Sequence, residues 1–285
     1  MNIKTPNNRN LTTDLIANPL MHTLGLMISE TGMNIAINSR VNSGELIYRH
    51  IDFPAGTDSL AALEEAVYDN PLLTADFHDI YVLIDNNRFF IIDSDKASDE
   101  EVRKRIDLLW PEDQTGIKLE AVLTPIQNEK NILVSAVPVN LMRFLRRTFN
   151  NPAVAHRMGT LARYYALKNK VGNMGKIHVR LGEEDTTDIF AFGRNGLLLA
   201  NTFTTNTTDD AAYYTLAVAK HFEFDNESDR VYVVGDGEVR DAYVAGMRRF
   251  ISMVLPEIFP TEIASFGNDA HKAPFELLVF PLVNR

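Results

Sequence analysis

Residues 177–203 read IHVRLGEEDTTDIFAFGRNGLLLANTF, which is three short apolar runs separated by turns that contain Gly182 and Gly196. Short apolar runs between glycine-containing turns are typical of β-strands joined by tight connections. This stretch therefore predicts an antiparallel three-stranded meander.

A helix and a fourth strand follow the meander. Thr207 or Thr208 can cap a helix that runs to about Phe222, and the acidic residues that follow suit the positive end of the helix dipole. Residues 230–234, RVYVV, are β-branched and aromatic and predict the strand. The order of this unit is β-β-β-α-β.

The same order recurs in the first half of the chain. Three apolar runs, 23–29, 33–38 and 45–53, precede a helix that Asp58 can cap and the β-rich run 79–85. Two units of one order in 285 residues predict an α/β protein built from two similar lobes. Chance alignment of common elements is the alternative, since the two halves share negligible residue identity.

Corresponding features of the two halves lie 150 positions apart. Gly32 and Gly182, in the first turns, have this separation, and so do Asp85 and Gly235, at the ends of the fourth strands. We interpret this offset as a structural duplication. The first lobe is expected to comprise residues 1–130, and residues 131–285 are expected to form a basic connector and the second lobe.

The remaining elements are predicted from the same periodicity and capping signals. They are a strand at 89–92 paired with the strand at 79–85, a helix from Ser98 to before Pro111, a strand at 131–137, helices at 139–149 and 153–170, a helix at 239–254 and a closing strand at 275–283.

Composition excludes several classes of protein. The chain has no cysteine, so it has no disulfide, thiolate metal site or cysteine nucleophile. Residues 1–10 lack the apolar segment of a secretory signal, and no stretch is apolar enough to span a bilayer. We therefore expect a cytoplasmic protein that does not bind membranes.

The charge is distributed unevenly along the chain. The formal net charge is −10, yet residues 130–182 contain ten Lys and Arg and no Asp or Glu. Arg143, Arg146 and Arg147 in this segment have the spacing of one helical face. The segment can lie against the acidic lobes, bind an acidic protein partner or bind nucleic acid, and the first interpretation is favoured over the last because the rest of the chain is acidic.

The repeated β-β-β-α-β-α order resembles the ribonuclease-H-like unit that is duplicated in the actin, sugar kinase and heat-shock ATPase superfamily. The sequence as a whole is similar to an uncharacterised Bacteroidetes domain-of-unknown-function family (DUF3822), whose members are described as having an actin-like ATPase fold. This resemblance implies that fold, and it implies no particular activity.

In that superfamily an Asp-x-Gly turn after the first strand of each lobe holds phosphates and a metal. Here the first turn reads Glu30-Thr31-Gly32 and Glu30 can replace the acid, but Met33 follows in place of Ser or Thr. The second turn, at Gly182, is preceded by Arg180 instead of an acid. Because phosphoryl transfer depends on a positioned metal, these departures put magnesium-dependent hydrolysis in doubt.

The superfamily's adenosine motif, an apolar strand that leads into two glycines and a helix, is matched by residues 230–234 and Gly235-Asp236-Gly237. Glycine lets a backbone approach a ligand closely, and a helix N-terminus attracts negative charge. A turn without a ligand is the alternative. A dinucleotide fingerprint fits less well, because Arg240 occupies the position of its third glycine.

Two other groups of polar residues have structural interpretations. Glu183, Glu184, Asp185 and Asp188 are expected to form a solvated acidic turn. The seven histidines are scattered without metal-ligand spacing, so surface or half-buried structural roles are expected for them.

These observations predict a non-catalytic binding or scaffold protein with a protein partner, without catalytic or metal-binding residues. The alternative is an ATP-binding protein or weak ATPase in which Gly235 and Gly237 approach the nucleotide, Glu30 lies near the phosphates, and magnesium accompanies ATP. A third hypothesis is nucleic-acid binding through the basic connector.

Overall fold

Strands and helices are described for residues 16–40, 46–126, 130–169, 174–182, 185–258, 260–264, 270 and 272–284 in a computed structural model. The strands are β1 (His22–Ile28), β2 (Gly32–Ser39), β3 (Leu46–Asp52), β4 (Asp79–Ile84), β5 (Phe89–Asp93), β6 (Leu119–Ile126), β7 (Asn131–Pro138), β8 (Ala153–His156), β9 (Lys176–Leu181), β10 (Thr186–Gly193), β11 (Gly196–Thr204), β12 (Arg230–Val234) and β13 (Met253–Pro256). The helices are α1 (Ser59–Tyr68), α2 (Asp99–Leu109), α3 (Glu112–Thr115), α4 (Val139–Thr148), α5 (Arg157–Lys168), α6 (Thr208–His221), α7 (Gly237–Met247), α8 (Thr261–Ala264) and α9 (Phe275–Val283).

Two five-stranded sheets with the same topology organise the chain. Their strand orders are β3-β2-β1-β4-β8 and β11-β10-β9-β12-β13. In each sheet the first three strands form an antiparallel meander, and the fourth and fifth strands are parallel to the first. The predicted pair of duplicated α/β lobes is therefore confirmed, and both predicted meanders are present.

The first turns of the two lobes do not correspond at the predicted offset of 150 residues. Ser29 and Gly182 are each the first residue after the opening strand, whereas Gly32 already lies in β2. Each turn closes with a backbone hydrogen bond, from Ser29 N to the Gly32 carbonyl at 3.0 Å and from Gly182 N to the Thr186 carbonyl at 2.8 Å. The predicted equivalence of Gly32 and Gly182 is therefore wrong, because the two turns differ in length.

A small three-stranded sheet, β5-β7-β6, is formed by residues that lie between β4 and β8 in the sequence, and α2 covers one of its faces. The predicted pairing of 79–85 with 89–92 is wrong, because β4 pairs with β1 and β8 while β5 pairs with β7. Residues 80–84 are all buried. A strand buried on both faces takes a central position between parallel neighbours, which a hairpin to β5 would not provide.

The fifth strand of each sheet was predicted as helix. Residues 153–156 form β8 before α5 begins, and the helix predicted at 239–254 ends at Met247 and is followed by β13. Each fifth strand pairs in parallel with the fourth strand of its sheet. Strand pairing thus carries the first sheet past residue 130, the expected end of the first lobe.

Residues 275–283 form α9 and not the predicted closing strand. The sequence FELLVFPLV is apolar almost throughout, and a short apolar run does not distinguish a buried helix from a buried strand. Tertiary packing settles the conformation, because α9 packs against α5 in the core between the two sheets.

The junction between the lobes is a continuous apolar core around α5 and α9. From the first lobe, Tyr81 stacks on Phe280 with ring centroids 4.7 Å apart and donates a hydrogen bond to the Leu277 carbonyl at 3.2 Å. On the second lobe, Tyr165 of α5 stacks on His178 of β9 with centroids 4.0 Å apart. The two helices therefore join the sheets.

Within the described residues, no helix is long and apolar enough to cross a membrane.

Packing at this junction predicts that Gly25→Ala destabilises the protein. A Cβ at Gly25 would lie 2.5 Å from Cζ of Tyr81, whose ring is held between β1 and α9. Because the ring is buried, we expect the free energy of unfolding in urea to fall by about 1–3 kcal/mol. In the control Gly246→Ala, the new methyl group meets open space on α7, and stability should be unchanged or rise by up to about 1 kcal/mol. Equal stability of Gly25→Ala and the wild type would contradict the packing described here.

Candidate functional site

The first-lobe turn, Ser29 to Gly32, binds its own backbone donors. The Ser29 hydroxyl oxygen accepts from the N–H of Thr31 at 3.2 Å and of Gly32 at 3.1 Å. Met33, the next residue, is buried in the first-lobe core. The amides that the superfamily resemblance assigned to phosphate are therefore occupied by a side chain of the same turn.

Gly32 and Glu30 have local structural roles in this turn. A Cβ at Gly32 would lie 2.7 Å from the Ile51 carbonyl oxygen, so strand pairing alone accounts for the glycine. The Glu30 carboxylate is exposed and lies 3.9 Å from Nη1 of Arg88. The acid that was expected near a phosphate thus faces a cation of its own lobe.

The second-lobe turn is also closed by its own atoms. The Gly182 N–H donates to the Thr186 carbonyl, and a Cβ at Gly182 would lie 2.5 Å from Oγ1 of Thr186. Asp185 adopts a left-handed conformation with φ of 46°. Glu183 and Glu184, part of the predicted acidic turn, lie outside the described residues.

The strand-to-helix turn at Gly235-Asp236-Gly237 adjoins the second-lobe turn. A Cβ at Gly235 would be 3.0 Å from Cβ of Leu181, the residue before Gly182. Asp236 caps α7 by accepting from the N–H of Glu238 at 3.2 Å. A Cβ at Gly237 would have no neighbour within 4 Å. The structure therefore explains Gly235 and Asp236 locally and leaves open space at Gly237.

An arginine at the start of α5 joins the two lobes. The Arg157 guanidinium binds Asp85, which follows β4 of the first lobe, and Asp188 in β10 of the second lobe. The side chains of Arg157 and Asp188 are 4% and 0% exposed. This bridge is buried in the crevice between the sheets.

A second arginine extends the network. Arg180 at the end of β9 binds Glu276 of α9 through Nη2 at 2.8 Å and through Nε at 3.2 Å, and its Nη1 lies 3.4 Å from Asp188. Thr202 of β11 donates its hydroxyl to Asp188 at 2.7 Å. We call Asp85, Arg157, Asp188, Arg180 and Glu276 the junction network.

The charges of the junction network stabilise one another. Burial opposes ionisation of Asp188, but Arg157 and Arg180 hold the pKa of its carboxyl below the usual value. Burial likewise opposes the charge of Arg157, while Asp188 and Asp85 raise its pKa above the usual value. Arg157 and Asp188 are therefore both ionised. Asp188 is fully buried, so its predicted place in a solvated turn was wrong.

The far end of α5 is held by another buried polar group. Lys168 binds Glu257, and the other Glu257 oxygen accepts from Nδ1 of His178 at 3.0 Å. His178 and His156 are 2% and 0% exposed, so the predicted surface or half-buried roles are wrong for these two histidines. Both ends of α5 are thus tied to the second lobe through ionised side chains.

Several cations of the basic connector pair with acids of the protein. On α4, Arg143, Arg146 and Arg147 are all exposed, and Arg146 lies 2.7 Å from Glu120 while Arg147 lies 3.8 Å from Glu64. Arg157, Lys168 and Arg180 also belong to the basic stretch, and they pair with buried acids. These contacts support the interpretation that the basic segment neutralises acids of the lobes.

Sequence reasoning proposed the turns but missed the junction network. Gly182, Gly235 and Arg180 do lie together around Leu181, whereas Glu30 lies in the other lobe beside Arg88. The signals that were available are Arg157 at the head of an apolar helix and Glu276 in an apolar run, since buried charges require partners. Among the described residues, no group of three or more His, Cys, Asp or Glu side chains could hold a metal ion.

Comparison with known proteins identifies the fold. The model of a family described as "Protein of unknown function (DUF3822)" matches residues 14–254. A solved structure from Bacteroides thetaiotaomicron VPI-5482, described as a protein with actin-like ATPase fold and unknown function, is similar with 20% identity and a TM-score of 0.73 over 91% of this chain and 96% of that chain.

A second similar structure is a PilM-PilN type IV pilus biogenesis complex, with 13% identity and a TM-score of 0.56 over 93% of this chain and 98% of that chain. No curated protein matches the sequence. At these identities the likeness establishes the fold, which is the actin-like ATPase fold, as the sequence predicted.

The junction network predicts a large cost for neutralising Asp188. Asp188→Asn leaves Arg157 and Arg180 buried with one fewer negative charge, so we expect the free energy of unfolding to fall by about 3–5 kcal/mol. The control Asp107→Asn removes an exposed pair with Arg103 on α2, and its effect should stay below about 0.5 kcal/mol. Denaturant titration measures both. Equal effects of the two substitutions would show that the buried bridge does not hold the lobes.

Proposed function

We propose that this chain, which belongs to the DUF3822 family of proteins of unknown function, is a non-catalytic binding or scaffold protein built on the actin-like ATPase fold. The observation that carries the proposal is that the polar groups of the crevice between the lobes already bind one another. The amides of its first turn bind the Ser29 hydroxyl, Asp236 caps α7, and the junction network connects the lobes by buried ion pairs.

Electrostatics support a crevice that does not bind a metal-bound phosphate. Arg157 and Arg180 are buried where the lobes meet and are paired with acids. These acids, Asp85, Asp188 and Glu276, already bind the two guanidinium groups, so a divalent cation would have to displace an arginine to reach them. Phosphoryl transfer relies on a positioned metal to stabilise charge, so this arrangement does not provide the chemistry.

A protein partner is the ligand class we propose. The structure that resembles this chain with a TM-score of 0.56 is a complex of PilM with PilN, so that fold serves there in an assembly. We propose that the present chain likewise binds a protein partner. A single exposed arginine can pair with a short acidic segment of such a partner, and Arg143 is exposed on α4 beside Arg146 and Arg147, which face acids at 2.7 and 3.8 Å.

Nucleic acid is a weaker candidate for the same face. Phosphate binding gains affinity from each cation that replaces a counterion. On α4, two of the three arginines already face Glu120 and Glu64. A strand of phosphates would therefore meet a face whose charge is partly neutralised.

ATP binding is the second candidate function, and one observation favours it. The structure gives no local reason for glycine at Gly237, since a Cβ there would meet no atom within 4 Å and its φ is not left-handed. The open space at the start of α7 is compatible with close approach of a ligand to the backbone. In this candidate, Gly235 and Gly237 approach the nucleotide and Glu30 lies near the phosphates.

A thermal-shift panel distinguishes the two functions. A ligand present at 100 times its Kd stabilises the folded state by about 2.7 kcal/mol and raises the melting temperature. We expect millimolar ATP or ADP, with or without magnesium, to leave the melting temperature of this protein unchanged.

Gly237→Val is the matched variant, because its side chain enters open space and should not disturb the fold. Stabilisation of the wild type by magnesium-ATP that is lost in Gly237→Val would replace the scaffold proposal with ATP binding. Stabilisation that persists in the variant would contradict the scaffold proposal and place the nucleotide elsewhere.

A further inference from the structure

A fully buried histidine links the first sheet to the helix between the lobes. His156 is the last residue of β8, and its side chain is the N-cap of α5. Its ring lies 5.1 Å from the ring of Phe89 of the inserted sheet. A change in this side chain therefore alters the contact between the first lobe and α5.

The hydrogen bonds of His156 require a neutral ring. Its Nε2 lies 2.9 Å from the Asn86 carbonyl oxygen, which can only accept, so Nε2 carries the proton. Its Nδ1 lies 3.2 Å from the backbone N–H of Met158, which can only donate, so Nδ1 must be unprotonated. A second proton on the ring would have to displace the bond that caps α5.

The charged groups around the ring also disfavour a second proton. Arg157 follows His156 directly, and the acids that face the ring are Asp85 from the end of β4 and Asp188 from β10. Burial, together with the charge of Arg157, lowers the pKa of His156 to about 4, although both acids oppose this shift. The ring is therefore neutral at pH 7, and it gains a second proton as the pH falls toward 4.

We propose that His156 is a proton-sensitive latch between the lobes. Protonation of Nδ1 removes the cap of α5 and places a cation beside Arg157, the residue that bridges Asp85 and Asp188. The bridge then loosens and the lobes move apart at this end of α5, while the apolar core around α5 and α9 still joins them. The proposal concerns the lobe junction and is independent of whether the crevice binds nucleotide.

The direction of the pH effect follows from proton binding. In an opened junction the histidine is solvated, with a pKa near the ordinary value of about 6.5, so the open form binds more protons than the closed form. The closed form is fully stable above about pH 6.5 and loses stability as the pH falls toward 4. The ratio of open to closed molecules should rise by up to about tenfold per pH unit, and by about 300-fold at most.

His178 lies near the other end of α5, and the effect of its protonation must be distinguished from that of His156. Burial lowers its pKa, Glu257 opposes that shift, and Lys168 and Lys176 reinforce it. Its ring stacks between Tyr165 and Tyr232. Because Glu257 accepts from its Nδ1, and the Asn169 side chain faces its Nε2, a proton on His178 can be accommodated without loss of a helix cap.

The test measures the distance between the lobes against pH. The chain has no cysteine, so Tyr68→Cys on α1 and Tyr213→Cys on α6 provide two unique labelling sites on exposed positions of the two lobes. Energy transfer between the dyes is recorded from pH 7.5 to 4.5 in the wild-type background, in His156→Asn, in His178→Asn and in His221→Asn. Asn keeps an oxygen that can cap a helix and does not titrate in this range.

We expect the distance to increase on acidification in the wild type and in His221→Asn, whose histidine is exposed, and to stay constant in His156→Asn. An unchanged acid response in His156→Asn, or a wild-type distance that stays constant to pH 4.5, would overturn the latch. Loss of the response in His178→Asn alone would assign the effect to His178 and also overturn it.

If His156→Asn does not fold, the ring of His156 is followed in the wild type by NMR. Titration of the ring at the midpoint of the distance change supports the latch. A ring that stays neutral throughout the distance change overturns it.

Discussion

The bridge that Arg157 makes between Asp85 and Asp188 is the interaction on which the arrangement of the lobes depends. Arg157 and Asp188 are ionised and are removed from water. Burying charge is costly unless a partner is fixed at short range, so each group makes the others necessary. The two lobes contribute opposite sides of this bridge, since Asp85 follows β4 of the first lobe and Asp188 lies in β10 of the second.

The same ion pairs extend to the second arginine of the junction network. Arg180 is held by Asp188 and by Glu276 of α9, so the helix that closes the junction also neutralises the second arginine. The turn at Ser29 binds its own amides, and Asp236 caps its own helix. These internal bonds are the reason that we propose binding of a partner over catalysis.

Local patterns predicted most of the elements, and the errors have one physical cause. Turn glycines and apolar runs located both meanders, and the capping residues located α1, α2 and α6. The run 275–283 and the strand 153–156 were misassigned because an apolar segment is compatible with either conformation until its neighbours are known. Pairing of β4 with β8 instead of β5 depends likewise on contacts between residues far apart in the chain.

The sequence by itself determined the repeated order of strands and helices and the excess of positive charge in the middle of the chain, because periodicity, caps and composition act over a few residues. The actin-like fold was implied by the resemblance of the sequence to a known family. The tertiary structure alone decided which charges meet. Asp188 reads as part of an acidic turn, and Arg157 as part of a basic connector. They bind each other because two sheets, each formed from distant segments, bring β10 to the start of α5.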